Sequence, residues 1–191
     1  MNLLVKAAAV AAALGASAVA SAGTYDFSYT FGDGQVVAGS FNGTSTDGGQ
    51  TVGGISNLQV SLDGIAFAGA PGALQLNYWN PGTESFDDTT PVTLSATAAN
   101  NSFVISDVDT AVNANPTYEF FLSSDPNLAG LGQAVAANFL QTDPNTGNGQ
   151  SAVDLNLNSS AWSLTPVPVP AALPLLLSGL GLFGFARRRA A

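Results

Sequence analysis

Thr24-Tyr-Asp-Phe-Ser-Tyr-Thr-Phe31 alternates strictly between polar and aromatic residues, and this stretch decides the fold class. Its four aromatic side chains fall on one face of a strand and its polar side chains on the other. Gly32-Asp33-Gly34 follows as a turn, because glycine and Asp-Gly pairs tolerate the positive φ angles that tight hairpins require. Gln35 to Phe41 then returns as the partner strand. The sequence therefore predicts an antiparallel hairpin with an aromatic inner face.

The rest of the body repeats this pattern of short strands separated by turn residues. Asp63-Gly64, Asn80-Pro81-Gly82, Asn100-Asn101 and Asp125-Pro126-Asn127 are turn signals. Many short strands at regular spacing favour an all-β, antiparallel sandwich or jelly roll. One exception is the apolar, Ala-rich stretch from Leu128 to Leu140, for which we predict a short helix. Further strands are predicted at residues 56–62, 65–67, 73–79, 92–97, 102–108, 117–122, 152–157 and 161–164.

The charges are divided sharply along the chain. The four basic residues are Lys6 and Arg187 to Arg189, and the 13 acidic residues all lie between Asp26 and Asp154. The body between the two ends therefore carries a net charge of −13. Such a surface repels nucleic acid and anionic membranes, so we expect cationic or neutral partners, with solubility as the simpler explanation.

The N-terminus has the features of a secretory signal. Lys6 precedes the apolar run Ala7 to Ala20, and Ala20-Ser21-Ala22 is an A-x-A-type cleavage site that would leave Gly23 as the first mature residue. We therefore expect export through the Sec translocon. Since the chain has no cysteine, its stability outside the cell must come from its core.

The C-terminus combines three unlike elements in a fixed order. Val167-Pro168-Val169-Pro170 leads into the uncharged segment Ala171 to Ala186, and Arg187-Arg188-Arg189 follows directly. The segment is close to the length of a membrane-spanning helix, and the arginines would stay on the cytoplasmic side. The body would then lie outside the inner membrane. An ordinary C-terminal anchor is the competing interpretation.

This tail resembles the PEP-CTERM sorting signal, and most closely its VPLPA variant. The resemblance rests on Val167, Pro168, Pro170, Ala171 and the arginine cluster; Val169 differs, since the type pattern has Glu there and the variant Leu. It implies a membrane-embedded cysteine transpeptidase, the exosortase, as the partner that removes the tail. It also implies a Gram-negative host that makes exopolysaccharide or biofilm. The expected location is a transient inner-membrane anchor, followed by the cell surface or the extracellular space.

Composition also limits the available chemistry. The chain contains no histidine and no cysteine, which removes Ser-His-Asp and Cys-His catalysis and the usual zinc ligands. A pair of carboxylates could still hydrolyse a glycoside, with Glu84, Asp87, Asp88 and Glu119 as candidates. We expect the protein not to be an enzyme.

Calcium is the cofactor that these residues favour if one binds, because hard cations prefer oxygen ligands. Asp107 and Asp109 would share one face of a strand. Asp143, Asn145 and Asp154 lie in a degenerate calcium-loop pattern without the central glycine or the final glutamate. A solvated Asn/Gly-rich turn is the alternative, and no cofactor at all is the simplest expectation.

Tyr78-Trp79 is the candidate ligand site. An exposed aromatic ring beside Asn80 and acidic residues could hold a sugar ring, whereas a tryptophan buried in the core is the commoner outcome. Trp162 is expected in the core.

Two functions follow from these observations. The first is an exported structural or matrix protein, sorted and processed by an exosortase and associated with exopolysaccharide or biofilm. The second is an extracellular carbohydrate- or calcium-binding module. In both cases we expect a signal peptide at residues 1–22, an acidic β domain at 23–165 and a sorting tail at 166–191.

Overall fold

The computed structural model describes residues 21–67, 73–107, 118–142 and 149–168. In these residues the protein is all-β: its strands form two antiparallel sheets, and its helices are three short 3-10 turns. None of these turns is long enough to cross a membrane, and the predicted tail helix lies outside the described residues. The strands are β1 (Ser21–Thr30), β2 (Val36–Ser45), β3 (Thr51–Leu62), β4 (Ile65–Ala66), β5 (Gln75–Asn80), β6 (Ser85–Asp87), β7 (Leu94–Ser95), β8 (Ser102–Ser106), β9 (Tyr118–Ser123), β10 (Ala134–Thr142), β11 (Gly149–Asp154) and β12 (Trp162–Pro166).

Sheet A is built around the predicted hairpin. Its strand order is β12-β1-β2-β3-β4, and β7 also pairs with β3. The aromatic alternation is confirmed, because Tyr25, Phe27, Tyr29 and Phe31 are all buried. The turn is confirmed as well: the Gly34 N–H donates to the Phe31 carbonyl at 3.0 Å, and Gly34 has a φ of 92°.

One glycine in the second strand is fixed by the aromatic face of the first. Gly39 lies directly opposite Phe27 in the β1–β2 register. A Cβ at Gly39 would overlap both the Phe27 ring and the Gln59 carbonyl oxygen. The absence of a side chain there lets the large ring lie flat over the sheet.

Sheet B has the strand order β11-β10-β9-β8-β5-β6. Buried side chains on β8 and β9 face the core in alternation, including Phe103, Ile105, Phe120 and Leu122. The short strand β6 pairs with β5, although the sequence pattern predicted no strand at residues 85–87.

The two sheets contribute to one hydrophobic cluster. Phe27 of sheet A stacks on Phe120 of sheet B with ring centroids 6.2 Å apart, and Phe103 lies 6.2 Å from Trp162. Trp162 is buried, as predicted, and its indole N–H donates to the Ser95 carbonyl at 2.8 Å. Aromatic pairs across the interior therefore join the sheets.

The helix predicted from Leu128 to Leu140 is wrong. Pro126–Leu128 is a single 3-10 turn, and Ala134–Thr142 is strand β10. This strand pairs on both sides, with β9 and β11, and places Ala136 opposite Phe120. Small residues are needed opposite these large rings, so tertiary pairing overrides the helix preference of alanine.

Candidate functional site

The predicted processing sites divide between described and undescribed residues. Ala22 and Gly23 lie at the start of β1, opposite Thr44 and Gly43 of β2. Val167 follows β12, and its backbone N–H donates to the Thr24 carbonyl at 2.9 Å. Pro168 is exposed directly after it. The other predicted residues of these sites, Ala20, Val169, Pro170, Ala171, Arg187, Arg188 and Arg189, lie outside the described residues.

Of the predicted calcium ligands, only Asp107 and Asp154 are described; Asp109, Asp143 and Asn145 lie outside the described residues. An oxygen of Asp107 accepts the Tyr118 N–H at 3.1 Å, next to the β8–β9 ladder. The described parts of the chain bring together no group of three or more acidic side chains around one point. Calcium binding therefore stays a prediction.

Asp154 joins the two sheets instead of standing free. Its Oδ2 accepts the Tyr29 hydroxyl at 2.8 Å, and its Oδ1 accepts the Gly32 N–H at 2.9 Å. Burial raises the pKa of Tyr29 from 10.0 to about 12, and the bond to Asp154 adds to the rise, whereas the Asn158 N–H lowers it. Both carboxylate oxygens are thus used in holding the β1–β2 turn against the end of β11.

The carboxylates considered for hydrolysis lie in different environments. Glu119 is half-buried on β9, and this burial raises its pKa. Asp87 accepts hydrogen bonds from the hydroxyl groups of Thr89 and Thr90 and from their backbone, which lower its pKa to about 2. Asp87 therefore stabilises its own turn.

Tyr78 and Trp79 point to opposite faces of β5, and they have different roles. Trp79 packs edge-on against Phe86 and Phe121, with centroids 5.1 Å and 5.7 Å away. Its indole N–H donates to Asp125 Oδ2 at 3.0 Å. Trp79 is thus half-buried in an aromatic cluster of its own, and it fixes the position of a carboxylate that lies 46 residues further along the chain.

Tyr78 lines a cleft of about 470 Å³, which we call the Tyr78 cleft. Its walls are four separate segments of the chain that come together around Tyr78. Pro81, residues 90–93, residues 99–102 and residues 124–126 complete the lining. Side chains along the walls combine an aromatic ring and proline rings with hydroxyl, amide and carboxylate groups.

Buried polar residues hold these loops in place. Asn101, which is 0% exposed, accepts the Ser95 N–H at 2.8 Å and donates to the carbonyls of Ser95 and Thr97. Asp125, which is 3% exposed, accepts both the Trp79 indole and the Asn127 N–H. The side chain of Gln133 donates to the Asp125 carbonyl at 2.8 Å. A buried polar group is costly unless it is paired, so this network favours one arrangement of the loops.

Sequence reasoning identified Tyr78 and Trp79 but missed Asn101 and Asp125. Both occur in stretches that the sequence marks as turns, where an exposed polar side chain is the default. The signal that could have found Asp125 is its place before proline, since an aspartate there caps a turn.

A second concavity, of about 520 Å³, lies on the outer face of sheet A; we call it the sheet A groove. Small polar side chains from adjacent strands face it, including Ser28, Ser40, Ser61 and Ser163. Asp26 is its one charged lining residue.

Comparison with known proteins gives no family assignment: no family model, curated protein or solved structure matches this chain.

Proposed function

We propose that this chain is an exported structural protein of the cell surface or matrix, sorted and processed at its C-terminal tail by an exosortase and associated with exopolysaccharide. The three-part tail and the secretory signal are the sequence features that support the proposal. The body's excess of acidic residues is compatible with a hydrated, crowded extracellular setting.

The position of the tail motif beside the start of β1 supports the proposal. The strand ladder ends at Pro166, which pairs with Tyr25, and the tail motif begins at the next residue. The start of β1 lies beside it, because the Val167 N–H reaches the Thr24 carbonyl. Removal of residues 1–22 and 166–191 would thus cut at one end of sheet A. It would remove the pairs of Ser21, Ala22 and Pro166 and leave the β12 pairs of residues 162–165 in place.

We further propose that the two sheets are the layers of a β-sandwich. The aromatic contacts between Phe27 and Phe120 and the single core shared by both sheets support this architecture. A sandwich can display surface sites while its interior stays unchanged, which suits a matrix component.

The experiment that tests the proposed function compares cells with and without the exosortase. An antiserum against the body would follow the protein through medium, envelope and membrane fractions, and intact mass would identify its termini. We expect the wild type to release a form without Arg187 to Arg189 and the deletion strain to keep a membrane-bound form that retains them. The same full-length membrane form in both strains would contradict sorting and leave a plain anchor.

A carbohydrate-binding module is the second candidate, and the Tyr78 cleft is the observation that favours it. Its lining mixes Tyr78 and prolines with amide and hydroxyl groups in loops that buried residues hold. The two candidates are compatible, since a matrix protein must contact its matrix somewhere.

A further inference from the structure

We propose that the Tyr78 cleft binds a sugar unit of a neutral polysaccharide, with Tyr78 as the platform for the ring. The inference deepens the exopolysaccharide association and rests on the proposed function for its biological setting. It names the surface that makes the contact and the chemical class of the ligand.

The dimensions of the cleft suit such a ligand. Its volume of about 470 Å³ lies within the range of small-molecule sites, which is roughly 300–1,000 Å³. It is open to solvent along the exposed residues Thr90, Thr93 and Asn100. An internal unit of a chain could therefore enter without threading a chain end.

The lining offers groups that match both kinds of surface on a sugar ring. A pyranose has C–H faces, which pack on aromatic and proline rings, and a rim of hydroxyl groups. Tyr78, Pro81 and Pro91 supply apolar surface, while Asn100 and Ser124 supply hydrogen-bonding groups. Apolar surface and polar groups thus occur together in the cleft, as they do in ligand sites, where the polar groups fix the orientation of the ligand.

Charge selects a neutral ligand. Between Gly23 and Pro166 the sequence has no lysine or arginine that could pair with a carboxylate or sulfate. Asp125 lies in the lining and Asp87 holds the neighbouring Thr90, so an anionic chain would meet only negative charge. Repulsion of this kind disfavours uronic-acid or sulfated polymers relative to neutral ones.

Hydrogen bonds within the chain hold the loops of the cleft in place. The Asn101 side chain accepts the Ser95 N–H and donates to the Thr97 carbonyl. The Ser124 hydroxyl donates to the Ala99 carbonyl at 2.7 Å. Trp79 fixes Asp125 from the other face of the sheet. Since ordering costs oppose binding, a site whose walls are already fixed gains affinity from few contacts.

The test is affinity electrophoresis of the full-length chain in mild detergent, which makes it independent of tail processing. The probes are dextran and galactomannan as neutral polymers, alginate as an anionic polymer, and exopolysaccharide washed from the producing culture. We expect a neutral polymer or the native exopolysaccharide to retard the protein, and alginate to leave its migration unchanged. Tyr78→Ala should weaken binding at least tenfold, while Tyr78→Phe should retain most of it.

Two further variants keep the test decisive. Asn100→Ala changes an exposed residue of the rim, so it should weaken binding without changing Tm, even if Tyr78→Ala proves unstable. Ser40→Ala in the sheet A groove is the matched control and should bind as the wild type does. The proposal is overturned if neither a neutral polymer nor the native exopolysaccharide binds, if alginate binds best, or if folded Tyr78→Ala and Asn100→Ala variants both bind normally. None of these results depends on exosortase processing, so the two proposals fail separately.

Discussion

The Tyr78 cleft and the sheet A groove have similar volumes, about 470 and about 520 Å³, but they are built in different ways. The groove exists because small side chains lie side by side on a continuous strand ladder, as Ser28 and Ala38 do. The cleft exists because separate loops meet, and buried polar side chains such as Asn101 fix them. A ladder holds its shape through its backbone alone, whereas loops need specific side chains to do so. The shape of the cleft therefore depends on particular buried side chains, whereas the shape of the groove does not.

A substitution at Gly39 tests the strand ladder under the groove. Gly39→Ala would force a methyl group against the Phe27 ring and the β3 backbone beneath the groove. We expect a loss of about 3 kcal/mol in the free energy of unfolding, because overpacking a close contact against backbone cannot relax easily. Urea denaturation would measure it.

Gly53→Ala is the control for that variant. A Cβ at Gly53 would meet only the Thr93 methyl group, at 3.4 Å, so its effect should be much smaller. Equal losses for the two variants would show that glycine flexibility in the strands, not the Phe27 contact, sets the cost.

The second test acts on the cleft. Asn101→Ala removes the acceptor of the buried Ser95 N–H and one donor to each of the Ser95 and Thr97 carbonyls, which keep their bonds from Trp162 and from the Asn100 N–H. We expect a loss of about 2–3 kcal/mol together with weaker glycan binding, because unpaired buried groups destabilise the loops. Thermal unfolding and affinity electrophoresis would report the two effects.

Asn100→Ala is the control for Asn101→Ala. Asn100→Ala removes an exposed side chain from the same turn and should change stability by less than about 0.5 kcal/mol. If Asn101→Ala lowers stability but leaves binding intact, the buried network supports the fold without shaping the cleft.

The third and smallest effect concerns the joint between the sheets. Tyr29→Phe removes the hydroxyl that donates to Asp154 and accepts the Asn158 N–H at 3.1 Å. We expect a loss of about 1–2 kcal/mol near neutral pH, since Asp154 can regain water. Both the groove and the cleft should keep their shape.

Tyr29→Phe should also change how the stability of the protein depends on pH. The pKa of Tyr29 rises from 10.0 to about 12 on folding, so below pH 10 the residue is neutral in both states. Between pH 10 and about pH 12, Tyr29 ionises in the unfolded chain but not in the folded one. The free energy of unfolding must therefore fall as the pH increases. Tyr29→Phe should show a shallower fall over that interval. Parallel stability curves for the two proteins would contradict the raised pKa.

How far the sequence predicts this molecule depends on whether a residue's role is local. The β1 alternation is local, so Tyr25 to Phe31 could be assigned to the core from the sequence alone. Strand β10 is not: Ala136 and Ala137 are apolar and buried on opposite faces, which erases the period of two that marks a strand. The partnership of Trp79 with Asp125 spans 46 residues and leaves no local pattern at all.

The turn between β1 and β2 has a consequence for how copies of this protein behave at high concentration. Among the described residues β11 is the last strand of sheet B, and an outer strand of this kind can recruit strands from other molecules. Gln35 Nε2 donates to the Ser151 carbonyl of β11 at 2.9 Å, and Asp154 of the same strand receives the Gly32 N–H. An incoming strand would have to displace this turn and release Tyr29 from Asp154 before it could pair. We therefore expect variants that destabilise the aromatic hairpin to expose β11 to pairing between molecules.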